Sequence, residues 1–176
     1  MEQMNKRVRA DLGGTLKAGG NFSFECYRRG KLQWVENDCN LLPNEHLDHV
    51  LNVVYHGTTP VSPWYVGLFE GNYTPLATVT AASVTADSTE CTAYDEATRV
   101  AYDEAAASSQ SLTNSASKAT FTINATKTLY GAFMSSASAK SATTGTIGPV
   151  TRFSTSRAVI DNDVILVTYT ITAASA

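Results

Sequence analysis

Between Ala119 and Ile171 the chain alternates in a way that only β-strands can use. Four segments, 119–124, 128–135, 146–153 and 164–171, set β-branched and aromatic residues among small polar ones. Turn chemistry separates them at Gly145, Gly148-Pro149 and Asp161–Asp163. Side chains two apart on a strand share a face, so each segment offers an apolar row that needs a second layer to cover it. Many short strands with regular turns and a single helix predict a mainly β, single-domain fold, a β-sandwich or jelly-roll-like arrangement.

The earlier sequence fits that architecture. Residues 22–37 read as a hairpin: Phe22, Phe24 and Cys26 alternate with polar neighbours, Arg29-Gly30 supplies the reversal, and Leu32 and Trp34 continue the apolar face. The one helix is expected at 44–56. There Leu47, Val50, Leu51 and Val54 form one stripe at i, i+3, i+4 and i+7, by which the helix should lie on a sheet. The run Trp64–Phe69 is almost continuously apolar and predicts a strand buried on both faces. From 78 to 119 the chain is rich in Ala, Ser and Thr, and the pentapeptide AYDEA occurs at 93–97 and again at 101–105. That echo predicts two short paired strands with Tyr94 and Tyr102 on equivalent sites.

Residues 1–21 are expected to be an extended N-terminal arm ahead of a β-sandwich domain spanning 22–176. The arm carries Lys6, Arg7, Arg9 and Lys17, and the pairs Gly13-Gly14 and Gly19-Gly20 disfavour regular structure within it. Charged residues make up only 16% of the 176-residue chain, with small neutral polar groups in their place, and such a surface is cheap to desolvate against neighbours. A net charge of −3 gives no basic footprint for specific nucleic-acid binding. No apolar run is long enough for a membrane span, and no secretory signal follows the basic start. Cys26, Cys39 and Cys91 are therefore expected as free thiols in a reducing cytoplasm.

The search for chemistry yields little. His46, His49 and His56 are the best metal candidates, but the helical wheel turns His49 and His56 to solvent and sets His46 at the flank of the apolar stripe, with no third ligand in view. Asp95, Glu96, Asp103 and Glu104 occupy matching places in the two pentapeptides and read as solvated charge. No nucleophile elbow or phosphate-binding glycine motif occurs. Trp34, Trp64 and Phe133 read as core. Tyr94 and Tyr102, beside paired carboxylates, read as surface residues and join Lys6, Arg7, Arg9 and Lys17 as candidate partner contacts. The expectation is no catalytic, cofactor or metal site.

Several segments resemble small structural proteins of tailed-bacteriophage virions, in particular head decoration or cement proteins. The most specific are TECTAY at 89–94, LYGAF at 129–133, SATTGT at 141–146 and NDVILVTYT at 162–170. The likeness covers most of the chain beyond its first dozen residues. It implies a non-enzymatic protein on the capsid surface, made in the host bacterial cytoplasm. Its partners would be the major capsid protein and copies of itself, as a dimer or trimer. The Ser135–Thr146 loop and the arm would supply contacts. The alternatives are a head–tail connector, tail or fibre-base protein, and, from another class, a carbohydrate- or receptor-binding module.

Overall fold

The computed structural model describes residues 16–175. In chain order it forms β1 (Leu16–Arg28), β2 (Lys31–Cys39), α1 (Asn44–Tyr55), β3 (Trp64–Phe69), α2 (Val84–Asp87), β4 (Glu90–Cys91), β5 (Val100–Tyr102), β6 (Ser111–Thr113), β7 (Ala119–Thr122), β8 (Lys127–Ser135), β9 (Ile147–Val159) and β10 (Asp163–Ser175). Two antiparallel sheets result. One runs β2-β1-β10, with β6 and β7 sharing the far edge of β10. The other runs β9-β8-β3, with β4 and β5 sharing the far edge of β3. The mainly β, sandwich-like class expected from the alternation is what forms.

The inward rows meet between the sheets. Phe22, Phe24 and Cys26 of β1 and Ile165, Val167 and Tyr169 of β10 face Val66 and Leu68 of β3, Leu129 and Met134 of β8 and Phe153 of β9. β3 is buried on both sides, as its continuous apolar run requires. Its other face sends Phe69 into a second core with Phe133, Ile147, Val150 and Val84, roofed by the segment that carries α2.

The hairpin reverses at Arg29 and Gly30, both at positive φ (50° and 75°), the backbone demanded by a two-residue turn that matches strand twist. One detail departs from simple alternation. The register shifts so that Cys26 pairs with Trp34 but Tyr27 with Leu32, leaving Gln33 as an extra residue. This bulge moves Leu32 onto the outer face, where it is exposed.

Residues 16–21, expected to belong to an extended arm, are strand instead. β1 begins at Leu16 and pairs residue by residue with β10, Leu16 against Ser175 through Arg28 against Asp163, straight through Gly19-Gly20. A long cross-strand ladder outweighs the low strand propensity of two glycines. Gly20 has a packing role: a Cβ there would lie 2.3 Å from the Tyr169 hydroxyl oxygen and 2.6 Å from its ring. Lys6, Arg7 and Arg9 lie outside the described residues.

α1 forms where the stripe predicts it, but it is turned the other way. Leu51 and Val54 are 55% and 61% exposed, and Leu47 and Val50 are also open, while His46 is buried. Polar anchoring decides the orientation. Glu45 accepts hydrogen bonds from the backbone N–H of Ile147 (2.8 Å) and of Ala81 (3.3 Å), and the Asn44 N–H donates to the Ala77 carbonyl (2.8 Å). Buried N–H groups need acceptors, and satisfying these two fixes which side of the helix faces the sandwich.

Candidate interaction surfaces

Tyr94 and Tyr102, taken from sequence as surface contacts, are core residues with 1% and 3% exposure. They do not pair with one another. Tyr102 lies in β5 opposite Trp64, and Tyr94 bridges to Ile123. The Tyr102 hydroxyl donates to the Tyr169 carbonyl at 3.0 Å, and the Tyr94 ring meets Phe121 edge-on at 5.0 Å. Burial holds both phenols above their ordinary pKa. The pentapeptide repeats local chemistry, a tyrosine anchor followed by wet carboxylates: Asp95, Asp103 and Glu104 are exposed. Glu96 differs, accepting from the Thr122 N–H at 3.1 Å. Lys17, within β1, is exposed.

The histidines do not converge on a ligand site. His46 and His49 meet the edge of Trp64 at 5.5 and 5.7 Å, and His56 caps the helix end exposed to solvent. Burial pushes His46 down to about 4, with His49 adding a smaller push. Among the described residues no three of His, Cys, Asp and Glu are placed to hold a metal ion. The thiols are free. Cys26 is buried and pushed up to about 12 by burial first and by Asp163 second, so it is un-ionised at neutral pH. Cys91 is also buried; Cys39 is exposed.

The most organised feature is one that sequence inspection passed over. Arg99, 1% exposed, forms a bidentate pair with Glu90, Nε to Oε1 at 2.9 Å and Nη2 to Oε2 at 2.8 Å. Its remaining donors reach the carbonyls of Ala137 (3.0 Å) and Ala142 (3.2 Å), and its backbone N–H reaches that of Ser138 (2.8 Å). Glu90 also accepts from the Ser141 N–H at 2.8 Å. Ala137, Ser138, Ser141 and Ala142 all lie on the loop between β8 and β9. The guanidinium sits 5.0 Å from the centre of the Phe133 ring.

That loop is tied at two further places. At its neck Ser136 and Thr146 pair through backbone (3.0 Å), and the Ser136 hydroxyl accepts from the Thr146 N–H (2.7 Å). Gly145, at φ 97°, makes the bend. Lys140, the one charged residue between 136 and 146, folds back: its ammonium donates to the Tyr94 carbonyl at 2.7 Å and lies 3.7 Å from the Tyr94 ring centre. The outer rim left to solvent is Ala139, Ser141, Thr143, Thr144 and Gly145, all uncharged. The sandwich thus presents a firmly held, neutral tip and, on α1, an apolar helix face left open by the described residues.

No protein-family model and no curated protein matches this chain.

Proposed function

We propose that the chain is a structural virion protein, a capsid decoration protein that binds the outside of a mature phage head and bridges capsid subunits. The observation that carries this reading is the 136–146 tip. A loop already ordered by a buried ion pair loses little conformational freedom when a partner covers it. Its uncharged rim loses little hydration. Those are the properties of a docking tip rather than of a reaction centre. SATTGT at 141–146, one of the segments that resemble phage head proteins, carries four of the five rim residues.

Stabilisation would follow from linkage. A protein that binds only the assembled, expanded lattice shifts the equilibrium toward that lattice, and several modest contacts per oligomer act together. The chain would act at the capsid surface, as a dimer or trimer beside the major capsid protein. Tyr94 and Tyr102, the aromatic residues among the candidate contacts, are inside the core and offer no stacking face to a carbohydrate.

The test is to mix purified protein with expanded heads lacking it and to count and locate the bound copies by electron cryomicroscopy. Decoration predicts hundreds of copies on the lattice, with Thr143→Glu/Thr144→Glu reducing occupancy at least tenfold while the variant stays folded. A dozen or fewer copies at the portal–tail axis would place the protein in the connector class instead. No binding at all would refute the virion reading.

A further inference from the structure

α1 is an amphipathic helix turned inside out. Glu45, His46 and His49 point toward the sandwich, where Glu45 accepts two backbone N–H groups and both imidazoles meet Trp64. The opposite face carries Leu47, Leu51, Val54 and Tyr55, exposed by 42%, 55%, 61% and 77%, with Val50 at its flank at 37%. Of the nine large apolar residues exposed among the described residues, five are on this one helix. On its Val50 side α1 borders an apolar groove of about 900 Å³, whose far wall is Leu112 of β6 and Ile171 of β10. Contiguous apolar surface of this kind ordinarily marks a contact site.

Area and symmetry name the occupant. Taking about 150–200 Å² for a fully exposed side chain of this size, the five fractions amount to on the order of 400–500 Å² per copy. Two such faces in contact would remove about 800–1,000 Å² from water before the far wall of the groove is counted, which reaches the roughly 1,000 Å² of a specific interface. The face is also complementary to itself. At about 3.6 residues per turn, Leu47 and Val54 fall on one flank of the stripe, Asp48 and Tyr55 on the other, with Leu51 between. A two-fold rotation that sets two such helices antiparallel brings like flanks together, in reverse order about Leu51. Leu51 then meets its own copy, Leu47 meets Val54, and the Tyr55 hydroxyl is placed to donate to the Asp48 carboxylate. Parallel pairing would instead set Asp48 against Asp48 and align the two helix dipoles.

We propose that two copies of the chain dock through α1, as an antiparallel two-fold dimer with Leu51 on its axis. Val54 of the second copy lies on the groove side of the contact, beside Leu47, so the stripe and the groove edge are covered together. The inward polar face explains the arrangement: Glu45 is committed to backbone donors of the sandwich, which leaves the apolar face as the one available to a neighbour. The inference narrows the dimer-or-trimer part of the capsid reading to a dimer. It does not rest on the head as the binding site, since it concerns only how copies of the chain meet.

The experiment is sedimentation equilibrium on the full chain in reducing buffer, over about 1–100 μM. The expected result is a dimer whose dissociation constant rises about a hundredfold or more in Leu51→Asp, because two carboxylates then face each other on the axis. Leu51 is half exposed, so the variant should keep the parent's circular dichroism; Tyr55→Phe, a milder change, should weaken the dimer several-fold. A second arm places a cysteine on the axis, Cys39→Ser/Leu51→Cys, and treats it with a short bismaleimide; Cys26 and Cys91 are buried and stay silent. A link between two chains is expected there, and none with Cys39→Ser/Leu32→Cys, whose exposed cysteine lies on β2. A parent that stays monomeric or forms trimers would overturn the proposal. So would a dimer indifferent to Leu51→Asp and unlinked through Leu51→Cys, or a monomer whose Leu51→Cys thiol resists the reagent, which would mean that the chain covers this face itself. A monomer that still decorates heads would remove this inference and leave the capsid reading standing.

Discussion

Replacing Arg99 with methionine probes the loop anchor most directly. Methionine keeps much of the aliphatic length, so the perturbation falls on the guanidinium. Four side-chain hydrogen bonds disappear, two to Glu90 and one each to the carbonyls of Ala137 and Ala142. Glu90 is left as a buried carboxylate whose remaining donor is the Ser141 N–H. Removing one member of a buried pair costs about 3–5 kcal/mol, chiefly because the other charge stays desolvated. For a domain of this size each kcal/mol corresponds to about 2–4 °C in melting temperature, so a fall of roughly 10–15 °C is expected by calorimetry or circular dichroism. The double variant Arg99→Met/Glu90→Leu should recover at least half of the loss, since no charge is then stranded. Amide exchange adds a local readout: the N–H groups of Ser136, Ser141 and Thr146 should lose protection before the strands do. A single variant melting within about 1 kcal/mol of the parent would refute the claim that this pair holds the tip.

Three further outcomes follow from other sites. His46 is held neutral by burial, its pKa lowered to about 4; a group whose folded pKa lies below its unfolded one gives stability that is full above about pH 6.5 and lost as pH falls toward 4, worth up to about 3 kcal/mol. In urea titrations His46→Phe should therefore flatten that limb, and an unchanged slope would contradict it. Asp163 is held below the usual carboxylate range by Arg28 first, against the opposing effect of burial, with the Ile160 N–H helping. Its contribution is present above about pH 4 and disappears as pH falls through its lowered folded value, so Asp163→Asn should lessen acid sensitivity below pH 4 while lowering stability at neutral pH. Gly20→Ala drives a methyl into the Tyr169 ring and should destabilise by about 1–3 kcal/mol, whereas Gly19→Ala, with nothing within 4 Å, should change stability by less than about 0.5 kcal/mol.

Period-two burial was readable because it is a local property. Phe22, Phe24 and Cys26, or Ile165, Val167 and Tyr169, must share a face whatever lies opposite. The doubly buried β3 was readable for the same reason, since polar residues are missing from both of its faces. What failed was inference about partners. The α1 stripe named an apolar face correctly, but not what covers it: two buried backbone N–H groups, from Ala81 and Ile147, are satisfied only if Glu45 points inward. Those donors lie 36 and 102 residues away, beyond any periodicity. Tyr94 and Tyr102 failed in the same manner. Neighbouring carboxylates suggested water, yet alternate residues on a strand end face opposite ways, and the tyrosines took the inside.

The Arg99–Glu90 pair had a faint signal that could have been weighed. Arg99 is the only basic residue between 77 and 117, in a stretch that otherwise avoids positive charge, and Glu90 stands directly beside the buried Cys91 at the start of a short strand. An isolated charge in neutral surroundings is either solvated or paired, and the carboxylate nine residues earlier is one obvious partner. The pair does little for net stability compared with an apolar replacement of the same shape. What an apolar replacement lacks is directed donors: a leucine–methionine contact would fill the space but hold none of the carbonyls of Ala137 and Ala142 or the N–H of Ser141. The ion pair therefore makes sense as a device for holding one loop in one shape, and a loop held in one shape while showing only small neutral groups is suited to being covered by something else.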